Sequence, residues 1–108
     1  MELKRVVVTG LGALTPLGNS VSEYWDGLLN GVSGACQITK FDASKFKTHF
    51  ACEVKNFDPL VYLEKKEARK LDPFSQYAIA VSDQGVKDAG LENANINHDR
   101  VGVIWGSG

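Results

Sequence analysis

The sequence has few of the residue types on which metal centres, disulfide frameworks and cysteine or histidine catalysis depend. Its 108 residues include two cysteines and two histidines. Cys36 and Cys52 are too few for a disulfide framework, and their spacing fits neither a C-x-x-C redox pair nor a zinc ligand set. His49 and His98 add no recognisable metal spacing. The residues alone therefore predict structural or surface thiols, no metal site and no complete catalytic constellation.

The sequence also lacks an excess of charge of either sign and a long apolar run. Twelve basic and thirteen acidic residues give a net charge of −1, which argues against a nucleic-acid-binding domain. No apolar run approaches the roughly 18–20 residues that span a bilayer, and no A-x-A cleavage site follows the N-terminal residues. We therefore expect a cytoplasmic protein that binds neither nucleic acid nor membrane.

Apolar segments predict strands near both ends of the chain. Three successive valines place a buried strand over residues 5–9, and V-G-V-I-W places another over residues 101–105. A short alternating run over residues 50–55 predicts a half-exposed strand between them. Because domains seldom end directly after a core strand, we expect residues 1–108 to be an incomplete portion of a larger domain.

Two helices are predicted between these strands, which gives an α/β fold class. Ser20 and Glu23 have the spacing of a capping box at the start of the first helix. Asp72 and Pro73 fit the N-cap and first position of the second helix. Apolar residues at helical spacing then continue until Gly90, so we expect this helix to be well buried.

A glycine-rich segment after the first predicted strand leaves two interpretations open. In a dinucleotide-binding turn, Gly10 and Gly12 would bring the backbone close to a pyrophosphate at a helix N-terminus. However, Thr15 takes the third glycine position, and the predicted helix begins only near Val21. A tight turn that packs strand against helix is favoured, and a nucleotide-binding oxidoreductase fragment remains the alternative.

Several motifs along the chain together carry a family resemblance. They are V-V-V-T-G-L-G-A-L-T-P-L-G-N over residues 6–19, W-x-x-L-L-x-G-x-S-G over residues 25–34, Phe41-Asp42, E-x-R-K-L-D-P-F-x-Q-Y-A over residues 67–78 and V-G-V-I-W-G-S-G over residues 101–108. In this order they resemble the start of the β-ketoacyl-acyl-carrier-protein synthases, most closely the synthase II group that elongates bacterial fatty acids. The resemblance covers the whole chain.

The resemblance implies a fold, a reaction and a set of partners. Residues 1–108 would be the N-terminal portion of a ketosynthase domain, within the N-terminal half of a thiolase-like layered α-β-α-β-α fold. The whole enzyme would be a homodimeric acyltransferase that elongates fatty acyl chains by decarboxylative Claisen condensation with malonyl-acyl-carrier protein. No cofactor is expected.

The family's catalytic residues have no counterpart in this chain. Its nucleophilic cysteine lies in a T-A-C-type motif, a context that Cys36 and Cys52 lack, and His49 and His98 lack the contexts of its two catalytic histidines. We therefore expect the 108 residues alone to be inactive in condensation. A non-catalytic module that binds carrier protein is a further alternative.

Two groups of residues are candidate sites. Lys65, Lys66, Arg69 and Lys70 would form one basic face of a helix, with Lys65 above Arg69 and Lys66 above Lys70. The resemblance implies that Lys66, Arg69 and Lys70 bind acyl carrier protein, and Lys65 is included on geometry alone. Gly106, Ser107 and Gly108 resemble the loop that leads toward the acyl pocket of the family.

Overall fold

The computed structural model describes residues 1–107, which group into two compact units. The ribbon unit is Ala13–Asp58. The helical unit combines Met1–Gly12 with the chain from Pro59 onward. No helix in the described part of the chain is long and apolar enough to cross a membrane.

The ribbon unit begins with helix α1, Val21–Leu29, whose start and end follow local signals. The Ser20 hydroxyl accepts a hydrogen bond from the Glu23 N–H at 3.2 Å, and the Glu23 carboxylate accepts one from the Asn19 N–H at 2.8 Å. These bonds confirm the predicted capping box, with one difference: the Glu23 carboxylate accepts from the amide of Asn19 and not from that of Ser20. Gly31, with φ +63°, provides the left-handed backbone that ends the helix.

Strands β1, Ala35–Gln37, and β2, Phe50–Cys52, form an antiparallel two-stranded ribbon. The half-exposed strand predicted over residues 50–55 is confirmed as the shorter β2. Cys36 and Ala51 oppose each other on the less exposed face, whereas Phe50 is 65% exposed.

The helical unit contains the single-turn helix α2, Lys65–Ala68, and the 16-residue helix α3, Pro73–Asp88. The predicted start at Asp72-Pro73 is confirmed, although the Asp72 side chain makes no capping hydrogen bond. Gly90, with φ +70°, follows the end of α3 as predicted. The prediction of a well-buried helix is wrong, because Ala80 is the only buried residue of α3.

The two buried strands predicted over residues 5–9 and 101–105 are not formed. Within residues 1–107 neither segment pairs with a neighbouring strand, and the side chains of Val6, Val8 and Ile104 are 88%, 80% and 98% exposed. A strand requires hydrogen bonds from an adjacent strand, and an apolar run alone does not supply them. The buried apolar side chains are therefore few and small, namely Ala43, Ala68 and Ala80.

Candidate functional site

Gly10 and Gly12 lie directly against the backbone of helix α3. A Cβ atom at Gly10 would collide with the carbonyl oxygen of Gly85 and lie 2.7 Å from the Ala89 nitrogen, and one at Gly12 would collide with the carbonyl of Val81. The helix backbone thus fills the space that a pyrophosphate would need. The predicted close packing against a helix is confirmed, and that helix is α3, but neither the predicted strand nor a tight turn is formed around Gly10 and Gly12.

The N-terminus of helix α1 is likewise unsuited to an anion. The Glu23 N–H already donates a hydrogen bond to the Ser20 hydroxyl, and the Asn19 N–H donates one to the Glu23 carboxylate. A negative side chain therefore already stands where a phosphate would be bound. Neither unit offers the geometry of a dinucleotide site, so the oxidoreductase alternative has no structural support.

The four predicted basic residues lie on and just after helix α2, and all four are exposed: Lys65, Lys66, Arg69 and Lys70. We call this group the basic turn. The Arg69 N–H donates to the Lys65 carbonyl at 3.2 Å, which keeps these two residues one α-helical turn apart. Ala68 is 7% exposed and anchors the opposite side of the turn.

The predicted continuous helical face ends earlier than expected. Helix α2 stops at Ala68, and the Lys70 N–H donates to the Glu67 carbonyl at 3.0 Å, a tighter i to i−3 bond. Lys70 therefore does not stack above Lys66 as on a regular α-helix. The backbone of Asp72 is extended, as the residue before a proline favours, and this prevents α2 from continuing into α3.

The charge of the basic turn is only weakly offset. The Lys70 ammonium lies 3.6 Å from the Glu67 carboxylate, and the two side chains are 61% and 57% exposed. An ion pair with that exposure contributes little to stability. Lys65, Lys66 and Arg69 form no ion pair with another described residue, so their charges face solvent.

Gln76 on helix α3 connects this turn to the longer helix, a role that the sequence did not indicate. Its side-chain Nε2 donates to the Ala68 carbonyl at 2.9 Å and to the Leu71 carbonyl at 3.4 Å. A second amide on the same helix, Gln84, donates to the Tyr62 hydroxyl at 3.1 Å. The motif over residues 67–78 contains Gln76, but nothing in the spacing identified its acceptors.

The predicted substrate-loop residues Gly106 and Ser107 are exposed, and Gly108 lies outside the described residues. A Cβ atom at Gly106 would meet no other atom within 4 Å, so no close contact requires glycine there. The preceding residue, Trp105, lines an open, mainly apolar cavity of about 430 Å³ beside α3 with Ala78, Ile79, Ser82, Asp83, Val86 and Val103. The structure therefore brings Trp105, and neither Gly106 nor Ser107, to that cavity.

The described residues contain no cluster of histidine, cysteine, aspartate or glutamate that could hold a metal ion. Cys36 and Cys52 are both free thiols. Because Cys36 opposes Ala51 and Cys52 opposes Ala35, the two thiols project from opposite faces of the ribbon. The described residues thus supply two separate free thiols and an exposed basic surface, the basic turn.

Comparison with known proteins identifies relatives of this chain. Over all 108 residues it is 52% identical to the 3-oxoacyl-[acyl-carrier-protein] synthase 2 of Coxiella burnetii and 52% identical to that of Vibrio harveyi. It is 47% identical to the corresponding protein of Synechocystis over the same length. In each case the chain spans 26% of the relative.

The fold comparison agrees with the sequence comparison. The structure matches the solved ishigamide ketosynthase/chain length factor with a TM-score of 0.73 and 36% identity, over 89% of this chain and 23% of that one. Residues 3–108 match the family described as Beta-ketoacyl synthase, N-terminal domain. The resemblance carried by the five motifs is confirmed, and the chain belongs to the β-ketoacyl synthase family with the thiolase-like α/β fold of its N-terminal domain.

Proposed function

We propose that these residues are the N-terminal portion of an elongating 3-oxoacyl-[acyl-carrier-protein] synthase. Such an enzyme transfers an acyl group to a cysteine thiolate, and the carbanion formed by loss of carbon dioxide from malonyl-acyl-carrier protein attacks that acyl group. The observation that carries the proposal is the 47–52% identity, over every residue of the chain, to proteins with this name.

Uncovered apolar surface supports the proposal that residues 1–108 are part of a larger ketosynthase domain. Four apolar residues are each more than 70% exposed: Val6, Val8, Val103 and Ile104. Apolar side chains stabilise a folded protein only when they are buried. Strands from the rest of such a domain would cover them and pair with their backbone. The catalytic cysteine and histidines then belong to that remainder, and Cys36 and Cys52 are not proposed as nucleophiles.

The basic turn is our candidate for the surface that binds acyl carrier protein. Lys65, Lys66, Arg69 and Lys70 are exposed, and the turn carries four basic side chains against Glu64 and Glu67. Carrier domains are acidic and must leave after each transfer. Exposed ion pairs suit this requirement, because each contributes roughly 0.2–1 kcal/mol and acts mainly on the rate of encounter.

Other parts of the proposal rest on family membership alone. Gly106, Ser107 and Gly108 are proposed to lie near the acyl pocket. The whole enzyme is proposed to act as a homodimer in the cytoplasm. No bound cofactor is proposed, because loss of carbon dioxide from the malonyl group generates the carbanion and the acyl thioester is already activated toward attack.

Charge reversal tests the docking proposal in the full-length protein. Lys66→Glu combined with Arg69→Glu should raise the KM for acyl-carrier-protein substrates about tenfold, since two favourable exposed interactions become repulsive. Activity with a small acyl thioester that lacks the carrier should stay within about twofold. The charge-matched control, Lys45→Glu with Lys47→Glu, alters two exposed lysines of the ribbon unit and should leave both activities unchanged.

Two outcomes would count against this proposal. Equal losses with the carrier-bound and the small substrate would indicate a folding defect and not a docking surface. Saturable binding of a nicotinamide cofactor to the unmodified protein would favour the oxidoreductase alternative.

A further inference from the structure

The side-chain amide of Gln76 caps the C-terminal end of helix α2 by a hydrogen bond. Its Nε2 is 2.9 Å from the carbonyl oxygen of Ala68, the last residue of α2, and 3.4 Å from that of Leu71. Gln76 belongs to the first turn of α3 and is half-buried. One side chain of the long helix therefore holds the end of the short basic one.

The closer of the two acceptors, the Ala68 carbonyl, is one that a short helix cannot satisfy by itself. The last carbonyls of an α-helix have no partner within the helix, and other donors must serve them. The Ala68 carbonyl accepts only a long bond of 3.3 Å from the Leu71 N–H besides that of Gln76. Gln76 thus provides the shorter of its two hydrogen bonds.

Without Gln76, basic side chains of the turn itself could donate to the Ala68 carbonyl. Arg69 and Lys70 follow Ala68 directly, and basic side chains near a helix C-terminus commonly hydrogen-bond its last carbonyls. Such a bond would draw a guanidinium or ammonium group back onto the backbone. The exposed charge of the basic turn would decrease as a result.

We infer that Gln76 is a positioning residue for the basic turn: its amide bonds the Ala68 carbonyl at the end of α2 and so keeps the Arg69 and Lys70 side chains off that carbonyl, where an acidic partner can reach them. The inference rests on the proposed docking function. It assigns Gln76 no contact with the carrier protein or with the reacting atoms.

Replacement of the amide by an apolar side chain of similar length tests this role in the full-length protein. Gln76→Met should raise the KM for acyl-carrier-protein substrates about 3- to 10-fold, the range expected when one or two exposed ion pairs with the carrier are lost. The kcat, and the activity with a small acyl thioester, should remain within about twofold. The KM should also depend less steeply on salt, because fewer charges face the partner.

Gln84→Met is the matched control. It removes the same type of amide from the same helix, but that amide donates to the Tyr62 hydroxyl, a residue outside helix α2. We expect it to leave the KM and its salt dependence unchanged. An effect of Gln84→Met equal to that of Gln76→Met would overturn the inference, since general loosening of α3 would explain both.

The remaining outcomes separate this inference from the docking proposal. If Lys66→Glu with Arg69→Glu raises the KM and Gln76→Met does not, the positioning role fails and the docking surface stands. If the double charge reversal has no effect, both fail. A loss in Gln76→Met that is equal for carrier-bound and small substrates would show a purely structural residue and would also overturn the inference.

Discussion

The carboxylate of Asp88, near the end of helix α3, accepts a hydrogen bond of 2.9 Å from the backbone N–H of Leu11. The bond joins the glycine-rich segment to a helix 77 residues later in the chain. Leu11 lies between Gly10 and Gly12, so its amide faces the helix where the backbones are closest. A charged acceptor thus satisfies the amide at the point of tightest packing.

Asp88→Ala should therefore expose the Leu11 amide. We expect amide hydrogen exchange at Leu11 to accelerate about tenfold, because loss of one charge-assisted hydrogen bond of moderate strength has that effect. Asp88→Asn keeps an oxygen acceptor of the same size and should show a smaller change. Hydrogen-exchange mass spectrometry of the peptide that contains Leu11 provides the measurement, and unchanged exchange in Asp88→Ala would contradict the assignment.

Alanine at Gly10 or Gly12 should strongly destabilise the protein. The added Cβ would collide with the Gly85 carbonyl or the Val81 carbonyl, both of which belong to the helix backbone and cannot rotate away. We expect a loss of about 3 kcal/mol, the upper end of the usual range for overpacked sites, because the backbone of a helix cannot move aside. Chemical denaturation followed by circular dichroism would measure it.

Gly85→Ala is the matched control for these substitutions. A Cβ at Gly85, on the other side of the same contact, would lie 3.9 Å from the Gly12 nitrogen, an ordinary van der Waals distance. Unfolding of this variant should stay within about 1 kcal/mol of that of the parent, the size of the glycine-to-alanine difference inside a helix. Equal destabilisation at positions 12 and 85 would show that the close approach to α3 is not the cause.

Glu53 should lose its stabilising contacts in acid. The Thr39 hydroxyl donates to its carboxylate at 2.7 Å and the Thr39 N–H at 3.2 Å, and these bonds, the hydroxyl first, hold the pKa of Glu53 below its ordinary value. A lowered pKa in the folded state stabilises the protein above the ordinary pKa of about 4.3, and this contribution is lost as the pH falls through the lowered value.

Thr39→Val removes the hydroxyl donor, so the pKa of Glu53 should rise toward its ordinary value. Thr39→Ser keeps the hydroxyl and should retain the low pKa. Carboxyl chemical shifts of carbon-13-labelled glutamate, followed by NMR between about pH 2 and 6, would report both values. An identical titration in the valine and serine variants would show that the hydroxyl is not the main cause.

The two thiols of the ribbon should not bridge to each other. Cys36 and Cys52 project from opposite faces, so mild oxidation should leave both as free thiols in mass-spectrometric peptide maps. Ala35→Cys in a Cys36→Ala background tests the register, since position 35 directly opposes Cys52. Opposed residues in antiparallel strands have Cα atoms about 4.5–5.5 Å apart, within reach of a disulfide. Bridging of the original pair would refute the register.

The helices were predictable because their signals are local. Ser20 and Glu23 cap α1 within four residues, and Pro73 and Gly90 mark the ends of α3. Strands depend on partners elsewhere in the chain, so the apolar run around Val6–Val8 identified residues that favour burial without showing what would bury them. Strand β1 was missed because three residues carry too little alternation to detect.

The basic turn was predictable in composition but not in shape. Its charges follow from the sequence, whereas the end of α2 at Ala68 depends on the extended backbone of Asp72 before Pro73. Gln76 could not be identified in advance, because its acceptors become neighbours only after α2 and α3 are arranged. Its side chain also carries no charge that would have distinguished it.

The contact of Gly10 and Gly12 with α3 has a consequence for how glycine-rich signatures are used to assign function. Helix packing alone excludes any larger residue at both positions. A T-G-x-G pattern can therefore be required in a protein that binds no nucleotide. A search by glycine spacing alone would wrongly assign nucleotide binding to such proteins. What distinguishes them is the proline and the late start of the following helix, since a phosphate can be bound only where free amides begin within the turn.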